Sequence, residues 1–187
     1  MIWKMAPMAA GLALGLCVSG TASALSLSSP DVKPGAMIND EQVFNSFGCT
    51  GKNISPALAW KGAPAGAKSF AVTVYDPDAP TGSGFWHWQV FNIPASATGL
   101  PKNAGDVKAN LLPPGAKQGR DDYGVVGWGG PCPPPGSKPH HYIFTVFALD
   151  VDHIDADTNT TAAVIGFMLN AHAVAKGKFT ALYSRPK

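Results

Sequence analysis

Three stretches of the chain run apolar at nearly every position: residues 70–75 (FAVTVY), 88–93 (WQVFNI) and 141–149 (HYIFTVFAL). Their β-branched and aromatic content predicts strands. Apolar side chains at successive rather than alternate positions predict that both faces are covered. These three therefore belong to the middle of a sandwich or layered β domain. Residues 58–60 and 179–183 are shorter strand candidates. A helical period emerges only at 162–175, where Val164, Phe167, Met168, Ala171 and Ala175 recur at helical spacing. Asn159, Thr160 and Thr161 offer capping side chains before it, and Gly177 a stop after it. From 99 to 136 neither period is present. That segment holds Trp128, Cys132 and a proline run, and is read as an ordered, functional loop.

Residues 1–24 follow a different pattern. Lys4 precedes an uncharged apolar run, 6–20, which ends at Ala22-Ser23-Ala24, a small-x-small site. A charged start, a short apolar core and such an end predict a secretory signal peptide cleaved after Ala24. Thr21 and Ser23 cut the run below the roughly 20 apolar residues that a membrane span needs. Residues 25–187 then make one domain, long enough to bury a substantial core, in the periplasm or outside the cell. No later segment is predicted to cross a bilayer.

Charge and cysteine usage narrow the picture further. The 187 residues carry a formal net charge of +2, and cleavage would remove Lys4. So near a balance excludes the broad basic surface of a nucleic-acid-binding domain. Cleavage would also remove Cys17, leaving Cys49 in FGCTG and Cys132 in GPCPP. In an oxidising compartment this pair predicts a disulfide, with two buried thiols as the alternative. Closing so long a loop stabilises by up to about 4–5 kcal/mol in the chain-entropy model.

Candidate chemistry gathers in two loops, each joined to a strong strand. The first is Asp76-Pro77-Asp78-Ala79-Pro80, leading on to His87. The second runs from Gly129 through the prolines to His140, His141 and Tyr142. Each proline fixes its own φ and restrains the residue before it, so Asp76 and Ala79 are held before any tertiary contact forms. Little freedom is then left to lose on binding. Of the five histidines, His87, His140 and His141 lie beside these loops, whereas His153 and His172 read as structural or solvated. Strand alternation puts His140 and Tyr142 on one face and His141 on the other, as a surface or packing residue. Two aspartates and two histidines also permit a metal site, but His-x-x-x-His and Cys-x-x-Cys spacings are absent. Ser83, flanked directly by Gly82 and Gly84, is no Gly-x-Ser-x-Gly elbow. Neither zinc nor a serine nucleophile is predicted.

The two loops together, YDPDAPTGSGFWHW running into VFNIP and then PPPGSKPHHYIFTVFAL, resemble the phosphatidylethanolamine-binding protein family. The closer likeness is to its bacterial, Raf-kinase-inhibitor-like branch, and it extends from FGCTGKNISPALAW through GRDDYG to IGFMLNAH. The resemblance implies a mainly β fold: an antiparallel β-sandwich core with peripheral helices, one of them C-terminal. It implies a small anion pocket formed by Asp76, Asp78, Pro80 and His87 with Gly130, Pro134, His140 and Tyr142. Pro135 and His141 depart from the lysine and arginine frequent in the family. In physical terms the carboxylates would favour protonated His87 and His140, and imidazolium N–H groups would donate to an anion. The glycines would leave backbone N–H groups open to it, and Tyr142 would add a neutral donor. The expected function is a non-catalytic, cofactor-free binding protein for small anionic, phosphorylated or headgroup-like ligands. Two rivals are a protein-interaction module, since relatives in this family inhibit kinases or proteases by binding, and a metal-dependent hydrolase built on the Asp/His cluster.

Overall fold

In chain order the elements are β1 (Ser26–Ser28), β2 (Leu58–Lys61), β3 (Ser69–Asp76), β4 (Phe85–Pro94), β5 (Gly99–Leu100), β6 (Lys117–Gln118), β7 (His140–Leu149), α1 (Ala162–His172) and β8 (Ala173–Tyr183). They come from a computed structural model that describes residues 24–187. The leader expected at 1–24 therefore lies outside the described residues, except for Ala24. The strands form two antiparallel sheets, ordered β1-β2-β5 and β6-β4-β3-β7-β8.

The three apolar runs are the inner strands β4, β3 and β7 of the larger sheet, as their pattern predicts. One face (Phe70, Val72, Val74, Trp88, Phe144, Val146) packs on Leu27, Leu58 and Trp60 of the smaller sheet. The other face (Ala71, Phe91, Phe147, Leu149) is covered by Ile165 and Leu169 of α1 and by Ile154. Burying one such large side chain contributes about 1.5–3 kcal/mol. The segment 99–136 is ordered, as expected. It supplies β5, β6 and a 3-10 turn at Val107–Ala109, and its Trp128 enters the core edge-on to Trp88, with ring centroids 5.7 Å apart.

The C-terminal helix differs from its sequence pattern in extent and in face. Thr161 caps it, its side chain accepting from Val164 N. It ends at His172, however, and the chain passes directly into the eleven-residue β8. Gly177 lies inside β8 and is no helix stop; a Cβ there would press on the Leu25 carbonyl. Residues 174–179 alternate between solvent and interior, and in AVAKGKF small residues hide that period of two. The buried helix positions are Ala162, Ile165 and Leu169, whereas Val164 and Phe167 are 43% and 74% exposed. The strands β1, β5 and β6, two or three residues each, are too short to leave a periodic signal.

Candidate functional site

The site begins with an irregularity in β4. Val74 pairs with Trp88 and Tyr75 with Trp86, so His87 is the extra residue of a bulge. The bulge reverses the alternation. Trp86 lies tilted against Tyr75, with ring centroids 4.5 Å apart, beside Gly166 on the helix side of the sheet, while Phe85 pairs with Asp76. Phe85 and His87 thereby join Asp76 at the end of β3 and His140 and Tyr142 at the start of β7. With Pro80 and Thr81 of the first loop, Tyr123, and residues 132–134 of the second, they line a recess of about 160 Å³. Larger grooves of about 440 and 520 Å³ flank the Val107–Ala109 turn, but no histidine lines them.

Asp76 organises the floor of the recess. Pro77 has no N–H to give, and Asp76 Oδ1 accepts instead from Asp78 N at 2.8 Å, closing a side-chain turn. Its Oδ2 accepts from His140 Nδ1 at 2.7 Å, and both side chains are buried. Tyr142 is fully buried, and its Oη has no hydrogen-bond partner among the described residues. Burial pushes its hydroxyl pKa up, so it remains a neutral donor.

His87 corrects the expectation of a second imidazolium. Its Nδ1 is 2.6 Å from the Gly129 carbonyl oxygen. Burial pushes its pKa down to about 4, against the raising influence of that carbonyl and of Asp76. The ring is neutral at ordinary pH and donates Nδ1–H to Gly129.

Two of the eight expected pocket residues do not line the recess. Asp78 turns outward, where its Oδ2 accepts from both the backbone N and Nδ1 of His141, each at 2.7 Å. His141 is indeed on the opposite face from His140 and Tyr142, but it is the partner of Asp78 rather than a bystander. Gly130 sits behind the wall. Its N–H donates to Asn53 Oδ1 at 2.8 Å and is therefore not open to a ligand. Glycine is needed there because a Cβ would overlap the Gln42 carbonyl and Phe44 N. Asp76, Pro80, His87, Pro134, His140 and Tyr142 do come together.

Sequence reasoning missed Phe85 and Tyr123. Tyr123 lies in the GRDDYG segment, where an aromatic residue between acids and glycine is the available signal. It stacks on Phe44 at 4.0 Å, and its hydroxyl donates to the Gly130 carbonyl at 3.1 Å. Next to it, Asp121 is buried, and burial pushes its pKa up to about 6. Asp121 Oδ1 accepts from Val125 N at 2.8 Å, while Oδ2 has no partner among the described residues.

The rim is tied twice. The Cys49–Cys132 disulfide, with Cα atoms 6.0 Å apart, joins the FGCTG loop to the second loop. Arg185 repeats the bridge, donating from Nη2 to the Gly48 carbonyl at 2.8 Å and from Nη1 to the Pro133 carbonyl at 3.4 Å. Among the described residues no group of three or more His, Cys, Asp or Glu side chains is gathered as a metal shell requires.

Known proteins with this pattern point one way. The family model described as "Phosphatidylethanolamine-binding protein" matches residues 28–184. The Escherichia coli K12 protein YbcL is 53% identical over 165 residues, covering 88% of this chain and 90% of its own. YbhB of the same organism is 47% identical over 160 residues, covering 86% of this chain and all of its own. The crystal structure of E. coli YbcL, described as a new member of the mammalian PEBP family, superposes with a TM-score of 0.85 over 87% of this chain and 99% of its own. A phosphatidylethanolamine-binding protein from Plasmodium vivax shares the fold, with a TM-score of 0.56 at 13% identity over 86% of this chain and 85% of its own.

Proposed function

Because the chain belongs to the phosphatidylethanolamine-binding protein family, we propose that it binds small anionic or phosphorylated groups in the recess between its two loops, without catalysis or a cofactor. The observation that carries this reading is the buried Asp76–His140 pair beside the Tyr142 hydroxyl, which has no partner among the described residues. An unsatisfied buried hydroxyl costs about 1–3 kcal/mol, which a ligand oxygen would relieve. Asp76 fixes the orientation of His140, so that Nε2 is the ring atom left for a ligand. When His140 takes up a proton, that nitrogen becomes a charge-assisted donor. Pro77, Pro80, Pro133 and Pro134 stiffen the walls, which limits the entropy lost on binding.

Export is part of the proposal. The Lys4, apolar run and Ala22-Ser23-Ala24 pattern supports a mature domain that starts at Leu25 in the periplasm or outside the cell. A disulfide such as Cys49–Cys132 persists in such compartments. Among the described residues no helix is long and apolar enough to cross a membrane.

Titration calorimetry with phosphoethanolamine tests the reading. Saturable binding is expected, weakened roughly ten- to a hundredfold by His140→Ala, the loss of one charge-assisted bond. Absence of binding at millimolar ligand would end it. A second reading, a protein-binding module, is favoured by Phe47. This side chain is 71% exposed and lies 5.4 Å from the Tyr123 ring at the recess. Under that reading Phe47→Ala abolishes capture of a protein partner and leaves phosphoethanolamine binding intact.

A further inference from the structure

Few side chains of the recess have a hydrogen-bond donor left for a ligand. Both Asp76 oxygens are engaged, by Asp78 N and His140 Nδ1. His87 Nδ1–H is given to the Gly129 carbonyl and the Tyr123 hydroxyl to the Gly130 carbonyl. The Thr81 hydroxyl is given to the Gly84 carbonyl. Of the side-chain groups, what remains is the Tyr142 hydroxyl, with no partner among the described residues, and the Nε2 atoms of His87 and His140. The two nitrogens of an imidazole point to nearly opposite sides of the ring. A ring held to the wall through Nδ1 therefore turns Nε2 away from that wall, and on a neutral imidazole that atom is a lone-pair acceptor.

Burial outweighs the charges around His87, of which Asp76 favours a second proton on its ring. Asp76 faces it from β3, and His140 and Tyr142 from β7. Tyr123 faces it from the loop at 5.8 Å, and Asp121 lies behind Gly129. Arg185 is held outside, against Pro133 and Gly48. No lysine or arginine lines the recess among the described residues. Burial keeps His87 neutral, with a pKa near 4. With His140 protonated, it and Asp76 sum to zero; otherwise the sum is −1. A fully ionised phosphate entering this set would meet a lone pair and a carboxylate without enough side-chain donors to offset them.

We propose that the recess takes its ligand together with a proton: an acid that still carries an O–H, such as a phosphomonoester monoanion. Its P–OH donates to His87 Nε2, while its other oxygens accept from Tyr142 and from protonated His140. This rests on the anion-pocket reading and narrows it. A phosphodiester, the form in an intact phospholipid headgroup, has no such O–H and is selected against.

Calorimetry of the full mature chain with monomethyl and dimethyl phosphate at pH 5, 6.5 and 8 decides the matter, in two buffers of different protonation enthalpy. Expected is monoester binding at least roughly tenfold tighter than diester binding at pH 5. Monoester affinity should fall by at least about tenfold per pH unit well above its second ionisation, near pH 6, with more protons taken up per monoester than per diester at pH 8. Equal affinity for the two esters, or monoester binding at pH 8 without proton uptake, overturns the proposal. Binding of neither ester overturns the anion-pocket reading and this inference with it. Diester binding that exceeds monoester binding overturns only the inference. In His87→Gln, whose amide can donate, the two esters should come within about threefold of each other. If that variant fails to fold, the unmutated comparison still decides.

Discussion

His140 Nδ1 stands 2.7 Å from Asp76 Oδ2, and the pair joins the last residue of β3 to the first residue of β7. The Asp-Pro-Asp turn departs from Asp76 and the proline loop arrives at His140, so one contact positions both loops. Asp76 and His140 are 2% and 5% exposed. Removing Asp76 leaves the buried His140 Nδ1 without its acceptor, and an unsatisfied buried polar group costs about 1–3 kcal/mol. Asp76→Ala is therefore expected to lower stability by that order in urea denaturation. Asp76→Asn, which keeps an acceptor for Asp78 N, should lose less stability but still bind phosphoethanolamine more weakly. Unaltered affinity in Asp76→Asn would mean that the carboxylate does not orient His140 for binding.

Outside the recess, Asp78 and His141 form a second pair with a different expected response. Both side chains are partly exposed, and such pairs are worth about 0–1 kcal/mol. Asp78 Oδ2 also accepts from the His141 backbone N, however, at 2.7 Å. Truncating His141 spares that bond, whereas truncating Asp78 removes it. Asp78→Ala should lower the melting temperature more than His141→Ala does, and His141→Ala should leave ligand affinity within about twofold, since its ring lies outside the recess. Equal melting temperatures for the two variants would show that the backbone bond adds nothing.

How much of this was legible in the sequence depended on how local each signal was. The strands β3, β4 and β7 are covered on both faces, and that condition writes itself as unbroken apolar runs. The meeting of His140 with Tyr142 follows from strand alternation alone. By contrast, the state of His87 depends on the Gly129 carbonyl, 42 residues away, and on a bulge that no spacing rule announces. Gly130 is glycine because the Gln42 carbonyl crosses beside it, not because a ligand needs its N–H. The β8 pattern was hidden because small residues such as Ala175 and Gly177 alternate with lysines, giving no apolar face to read. The face that α1 buries is not the one its apolar spacing marks. Val164 and Phe167 look like core residues, but the helix rotates Ile165 and Leu169 inward.

Close approach at Gly130 gives a test that separates packing from binding. Gly130→Ala forces a Cβ onto the Gln42 carbonyl and Phe44 N, so the chain around Phe44 must shift. Overpacking of this kind costs about 1–3 kcal/mol. The expected signature is a lower melting temperature with a smaller loss of ligand affinity than His140→Ala causes. A fully stable Gly130→Ala variant that no longer binds would instead place Gly130 at the ligand.

The acid response of the fold should reflect two buried groups working against each other. His87 has a folded pKa of about 4, below its ordinary 6.5. The unfolded chain therefore binds the extra proton first. The His87 contribution is fully present above pH 6.5 and is lost as pH falls toward 4, by about 3 kcal/mol. Asp121 runs the other way. Burial raises its pKa from 3.8 to about 6, so the folded chain holds that proton longer. Its contribution is fully present below pH 3.8 and is lost as pH rises through 6. The two windows overlap, and the unmutated protein should show a shallow dependence of stability on pH between about 4 and 6. Asp121→Asn keeps an acceptor for Val125 N and removes the opposing titration. It should be more stable than the unmutated chain at pH 7 and should lose stability more steeply on acidification. His87→Gln should show the reverse slope, gaining stability as pH falls from 6 to 4. Urea denaturation at pH 4, 5, 6 and 7, with the disulfide intact, reads these slopes directly. Asp121→Asn and unmutated curves that run parallel would show that Asp121 is already ionised in the fold at pH 4.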